Sequence, residues 1–212
     1  MKSTPHTLLL DLGGVLIDVD YQASARAFAD LGFSDFDVLY SKAKQDRVFD
    51  ALETGALSPT EFRARIRSFL TAPITDAQVD TCWNAMLGTI PDERLRLVER
   101  LKTKYQVLLL SNTNMIHIPA FEAIVARTNG VADFKGLFHG AYYSCELEMR
   151  KPDAEIFHHV LARHGADPSR TLFIDDSIQH VHGARTAGLQ AEHLDLAKED
   201  VIAMTERLGL LL

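Results

Sequence analysis

Cysteine is almost missing from this chain of 212 residues. Cys82 and Cys145 lie far apart and match no zinc spacing, which argues against a disulfide framework or a structural zinc site and reads both as reduced thiols. Positive charge is also short, with 22 Lys and Arg against 29 Asp and Glu and a formal net charge of −7. That balance argues against a broad nucleic-acid surface, which needs clustered cations. A small phosphorylated substrate stays open, because a metal and one lysine in a pocket can outweigh the global sign. Long apolar runs are lacking too. After Met1 to Thr7, the run Leu8 to Leu10 is too short for a signal peptide or a membrane span. No internal repeat or low-complexity segment is present. The expectation is a cytoplasmic protein with no nucleic-acid or membrane partner. Monomer and dimer both remain open.

What is there is the mix of a globular protein, 47% hydrophobic and 24% charged. Three short apolar runs stand out: Leu8 to Leu10, Val107 to Leu110, and Leu172 to Ile174. Such runs suit strands buried on both faces of a parallel sheet. Leu137 to Tyr143 and the stretch around Leu194 are weaker strand candidates. Helical patterns separate them. Ala154 to His164 carries Ile156, Phe157, Val160 and Leu161 on one face and ends at Gly165. Leu95, Val98 and Leu101 recur at helical spacing. Strands alternating with helices imply an α/β fold with a doubly wound parallel sheet.

The stretch between the first and second strong runs far exceeds one crossover helix. Helices are expected over Ala25 to Leu31, Phe36 to Leu52, from Ser58-Pro59-Thr60-Glu61 onward, and over Val79 to Leu87. Ser58 with Glu61 and Thr75 with Gln78 form two capping boxes. The expected organisation is an α/β core of residues 1–17 and 91–212 with a small helical cap inserted at 18–90.

Each strong run is punctuated at its end by polar residues: Asp11, Ser111-Asn112, and Asp175-Asp176. Ligands of such sheets sit beyond the carboxyl ends of the strands. Each residue also has a plain reading. Asp11 could be a helix cap, but Gly13-Gly14 after it allows a sharp turn and close approach to a ligand. Asp176 or Ser177 could cap the next helix, yet adjacent carboxylates at a buried strand end repel unless a cation compensates. Ser111 and Asn112 could be caps or could hold a phosphoryl oxygen. Lys151 could be a surface lysine or a phosphate-binding point charge.

In the order Asp11, Ser111, Lys151, Asp175-Asp176, these residues resemble the four motifs of the haloacid dehalogenase superfamily. The helical insert occupies that superfamily's first cap position. The segments Leu110 to Asn114, Met149 to Pro152 and Phe173 to Asp176 resemble two branches in particular. One is the bacterial sugar-phosphate phosphatases, among them an α-glucose-1-phosphate phosphatase. The other is the N-terminal phosphatase domain of soluble epoxide hydrolases. The resemblance implies a Rossmann-like core and a phosphatase that works through an aspartyl-phosphate on Asp11, with Lys151 also catalytic. It implies Mg²⁺ held by Asp11, the Gly13 carbonyl and Asp176, with Asp175 supporting directly or through water. Ser111, Asn112 and Lys151 would bind the phosphate oxygens.

Two departures stand out. Gly13 occupies the place where most such phosphatases carry an acid–base Asp. Asp18, Asp20, His117 and a metal-ordered water are the candidate replacements, and esters with weakly basic leaving groups, such as sugar-1-phosphates, would suffer least. His180 stands where relatives often have Asn or Asp. Trp83 and Met86 are expected in the cap core, and His158, His159, His164, His182 and His193 as ordinary surface or satisfied histidines. The competing readings are a phospho-acceptor domain, an inactive phosphate-binding relative, and a haloacid dehalogenase proper. A phospho-acceptor domain would place the acidic pair first. A dehalogenase would leave Asp175-Asp176 unexplained.

Overall fold

The computed structural model describes residues 4–33, 47–70 and 73–211. Five parallel strands form one sheet in the order β3-β2-β1-β4-β5: β1 Thr7–Leu10, β2 Gln106–Ser111, β3 Gly140–Tyr143, β4 Thr171–Asp175 and β5 Gln190–His193. The three strong apolar runs are its central strands. Their side chains split by the period of a strand. Leu8, Leu10, Val107, Leu109, Leu172 and Ile174 enter one hydrophobic layer, and Leu9, Leu108, Leu110 and Phe173 enter the other. Both faces are therefore buried, which is why these strands lack alternation.

Helices cover the two faces. On one lie Asp92–Lys102, His117–Asn129 and Val201–Arg207; on the other lie Ala154–Arg163 and Ile178–Thr186. The weaker strand expectations shift at their edges. Lys135–Leu137 is a 3₁₀ turn and only Gly140–Tyr143 is strand, while the last strand ends just before Leu194.

Between β1 and β2 the chain leaves through a neck where Val19 bridges Leu87 antiparallel. The Gly88 N–H donates to the Asp18 carbonyl and the Asp20 N–H to the Met86 carbonyl, 2.9 Å each. Beyond it stand four described helices: α1 Tyr21–Asp30, α2 Val48–Glu53, α3 Pro59–Ser68 and α4 Asp76–Asn84. Both capping boxes form, on α3 and α4. Helix α1 starts four residues before the expected Ala25 because the Asp20 carboxylate accepts from the Gln22 N–H and caps it. The first part of the expected helix Phe36 to Leu52 lies outside the described residues. These helices share their own apolar cluster, with Phe28, Leu52, Phe62, Ile66 and Val79 essentially without exposure. Among the described residues no helix is long and apolar enough to cross a membrane.

Candidate active site

Strand register builds the site. Leu10 pairs with Leu109 on one side and Ile174 on the other, so Asp11 stands between Leu110 and Asp175 at the carboxyl edge of the sheet. Lys151, wholly buried, closes that row. Its Nζ donates to Asp11 Oδ1 at 2.7 Å, Asp175 Oδ2 at 2.7 Å and the Leu110 carbonyl at 3.0 Å. All three ammonium hydrogens thus have acceptors. The Asn112 side chain fixes the lysine from behind. Its amide donates to the Lys151 carbonyl and its Oδ1 accepts from the Lys151 N–H, both at 2.9 Å. Ser111 is buried beside it.

The cap readings fail for these residues. The helix after β2 is capped by Asn114, whose Oδ1 accepts from Ile116 and His117 N–H groups at 3.0 Å. The helix after β4 has Ser177 at its N-cap with no side-chain hydrogen bond there. Asp11, Ser111 and Asp176 are therefore free of that duty.

Asp175 also organises the groups around it. Oδ2 takes Lys151, Oδ1 takes the Ser177 N–H at 2.7 Å, and His180 Nδ1 sits 3.0 and 3.1 Å from the two oxygens. Nearly all its acceptor capacity is thus engaged, and it holds Lys151 and His180 in place. Burial opposes its ionised form, but Lys151 and His180 overcome that and draw Asp175 down to about 2. For Asp11, burial raises the pKa to about 7, with the neighbouring Asp175 charge adding to it and Lys151 opposing. Asp176 is also raised, first by burial and then by Asp175. Burial disfavours the Lys151 charge, but Asp11 and Asp175 more than restore it.

Three carboxylates around one lysine leave the site short of positive charge, and the raised Asp11 and Asp176 register the deficit. A hard divalent cation fits that donor set. Asp11, Asp175 and His180 have ligand atoms within 4.8 Å of one another. Asp176 reaches the same cavity, packed over Gly14, whose Cα leaves room that a Cβ would fill by overlapping Asp176 Oδ2.

The site opens into a cavity of about 380 Å³. Its floor is Asp11, Ser111, Asn112 and Asp176; its roof is Phe49, Glu53, Trp83 and Met86 from the inserted helices. Trp83 and Met86 belong to the apolar cluster of the inserted helices and also line the cavity, a position the sequence did not suggest for them. Of the candidates for the missing acid, Asp18 pairs with Arg94 at 2.7 Å and Asp20 caps α1 and pairs with Arg26 at 2.5 Å. His117 lines the cavity; burial holds it down to about 4, and its Nδ1 lies 2.8 Å from Asn84 Oδ1. It stacks on Trp83, which stacks in turn on Phe49. Those contacts, and the pairing of Arg150 with Asp50 and Glu53, were not anticipated from sequence.

A model of haloacid dehalogenase-like hydrolases matches residues 5–188. The chain belongs to this family. It is 30% identical to a D-ribitol-5-phosphate phosphatase of Bacteroides thetaiotaomicron, over 86% of this chain and 88% of that one. It is 27% identical to a sesquiterpene phosphatase of Aspergillus oryzae, over 92% of each. Among solved structures, a family enzyme from Bacteroides thetaiotaomicron in complex with magnesium and inorganic phosphate superposes with a TM-score of 0.83 at 35% identity, covering 94% of this chain and 98% of that one.

Proposed function

We propose that this hydrolase is a Mg²⁺-dependent phosphatase of a small phosphorylated metabolite, with a sugar or polyol phosphate as the preferred class. The observation that carries it is the row at the strand ends: Asp11 between Lys151 and a set of otherwise unbalanced carboxylates. Similarity to a D-ribitol-5-phosphate phosphatase and to a structure with magnesium and phosphate supports the reading. Asp11 Oδ1 is held by Lys151, which leaves Oδ2 to attack phosphorus and form an aspartyl-phosphate, splitting one displacement into two. Asp11, the Gly13 carbonyl and Asp176 would hold Mg²⁺, which supplies charge neutralisation so that a carboxylate can approach phosphate. Ser111 Oγ and the Asn112 backbone N–H bind the transferring oxygens, and Lys151, whose three ammonium hydrogens already meet Asp11, Asp175 and the Leu110 carbonyl, supplies positive charge beside them. The Asn112 amide is occupied at Lys151, so its side chain acts by holding that lysine.

We read residues 18–90 as a cap that opens for substrate and closes to exclude water. Asp18 and Asp20 pair with arginines and burial disfavours a charged His117, so we assign none of the three as the acid. The leaving oxygen then takes its proton from water. General acid catalysis contributes on the order of 10²–10⁴-fold where present. Gly13 therefore favours weakly basic leaving groups such as an anomeric oxygen, whereas similarity to the ribitol phosphatase favours a primary ester. Inorganic phosphate release from ribitol-5-phosphate, glucose-1-phosphate and glucose-6-phosphate, with Mg²⁺ and with EDTA, tests both points. Turnover with Mg²⁺ and none with EDTA is expected, with glucose-1-phosphate ahead of glucose-6-phosphate. Undiminished turnover in excess EDTA would end the metal reading.

A further inference from the structure

Arg150 precedes the site lysine and reaches the opposite way. Its Nη1 lies 2.5 Å from Asp50 Oδ1 and its Nη2 lies 2.7 Å from Glu53 Oε2, both on the inserted helix α2. Arg150 and Glu53 side chains are about a quarter exposed and Asp50 is 41% exposed, while Arg150 Nε and Glu53 Oε2 are buried without a hydrogen bond, so the pairing runs from a dry end at Glu53 to an open end at Asp50. Charge attraction at the dry end is screened less than at an open surface. On the same side, Gly55, at φ +71°, presses its backbone on the Cys145 carbonyl so closely that a Cβ would sit 2.8 Å from that oxygen. The next residue, Lys151, is clamped through its backbone N–H and carbonyl by Asn112 and through its Nζ to Asp11 and Asp175. A rigid backbone therefore joins the guanidinium that grips α2 to the ammonium that grips the nucleophile.

We propose that Arg150 is the positioning residue that latches the cap shut, through its paired grip on Asp50 and Glu53, and registers the closed cap directly on the segment that carries Lys151. The inference rests on the phosphatase and cap reading above, but it is tested without relying on turnover alone. Opening the cap separates a guanidinium from two carboxylates, and closing it restores the fork. Lysine, a point charge, can satisfy one carboxylate at a time. The latch sets how much of the protein is ready to bind, so it acts on KM more than on kcat.

The chain has a single tryptophan, and Trp83 lies at the other side of the same seam, stacked on His117 at 5.2 Å. Its emission reports the seam with no substrate present. Three measurements are made on wild type, Arg150→Ala, Arg150→Lys and Glu53→Gln: Trp83 emission from low to 1 M NaCl, KM and kcat on the best phosphate ester, and a thermal melt. The expected result is a red shift of wild-type emission with salt, and an Arg150→Ala protein already shifted and insensitive to salt. KM should rise on the order of fivefold to tenfold in Arg150→Ala with kcat within about threefold, as befits a partly buried two-pronged pair. Arg150→Lys should recover part of both effects, and Glu53→Gln should follow Arg150→Ala more weakly. Trp83 emission in Arg150→Ala and Glu53→Gln that matches wild type at every salt concentration would overturn the latch, as would a fall in kcat at constant KM. Absence of turnover in wild type on every ester would refute the phosphatase reading and leave the emission test standing.

Discussion

Lys151 and Arg150 are neighbours in sequence and opposites in surroundings. The lysine is wholly buried at the ends of three strands whose register is set by apolar side chains on both faces of the sheet. The arginine lies in a half-open seam and grips a helix about a hundred residues away in sequence. The first arrangement is fixed by the core, and removing a member leaves a buried charge alone. The second joins the core through polar contacts, the stack of Trp83 on His117, and Ile116 packed into the apolar cluster of the inserted helices. On the function proposed above, chemistry belongs to the first region and access to the second.

The largest expected effect lies in the first region. Asp11→Asn should lower phosphate release on the order of 10⁴-fold or more without lowering the melting temperature, because it relieves crowding among carboxylates. Unaltered kcat in that variant would remove Asp11 from its role. Lys151→Met should be the most damaging charge deletion, since it strands Asp11 and Asp175. A loss of about 3–5 kcal/mol in urea unfolding is expected, well beyond that of Arg150→Ala. Equal losses in the two variants would erase the contrast between the regions.

The seam should respond to acid. His117 is held down to about 4, against an ordinary value near 6.5, by burial. The unfolded chain therefore takes up a proton below pH 6.5 while the folded chain waits until about pH 4, and stability falls as pH drops through that window. Between pH 7 and 5 the loss should be about 2 kcal/mol. Urea midpoints at the two pH values should show it in wild type and show less of it in His117→Gln. A smaller effect is expected from Gly14→Ala, where the added Cβ would push Asp176 aside at a residue with φ +70°. Calorimetry should record Mg²⁺ affinity lowered on the order of tenfold, and a thermal melt a loss of about 1 kcal/mol of stability from alanine held at positive φ.

Much of the first region was legible because burial writes itself into sequence. Three apolar runs, each closed by Asp or Ser, announced the central strands and the residues at their ends. Gly13-Gly14 suggested room for a ligand, and what packs against Gly14 is the Asp176 side chain. The partners of those residues were less visible. The side chain of Asn112 meets Lys151 39 residues later, a pairing that its own neighbourhood does not mark. The contacts of Asp175 with Lys151, His180 and the Ser177 N–H were likewise not visible in the sequence. In the second region the helices were legible from capping boxes, while the seam was not. Nothing local to Arg150 marks Asp50 and Glu53 as its partners, and Trp83 carries no sign that His117 will stack on it. Such pairings come from the way the two regions meet, which periodicity does not encode.

The account turns on Asp11 accepting a phosphoryl group while a divalent cation balances its neighbours. Rapid acid quench of the protein turning over a phosphate ester, followed by mass spectrometry of the peptide containing Asp11, tests that directly. With Mg²⁺ the peptide should carry one phosphoryl group on Asp11. Gly13, which cannot activate water for the second step, should let it persist. Excess EDTA or Asp11→Asn should abolish the modification. Phosphate release with the label on another residue, or an Asp11 label that forms equally in EDTA, would contradict the account.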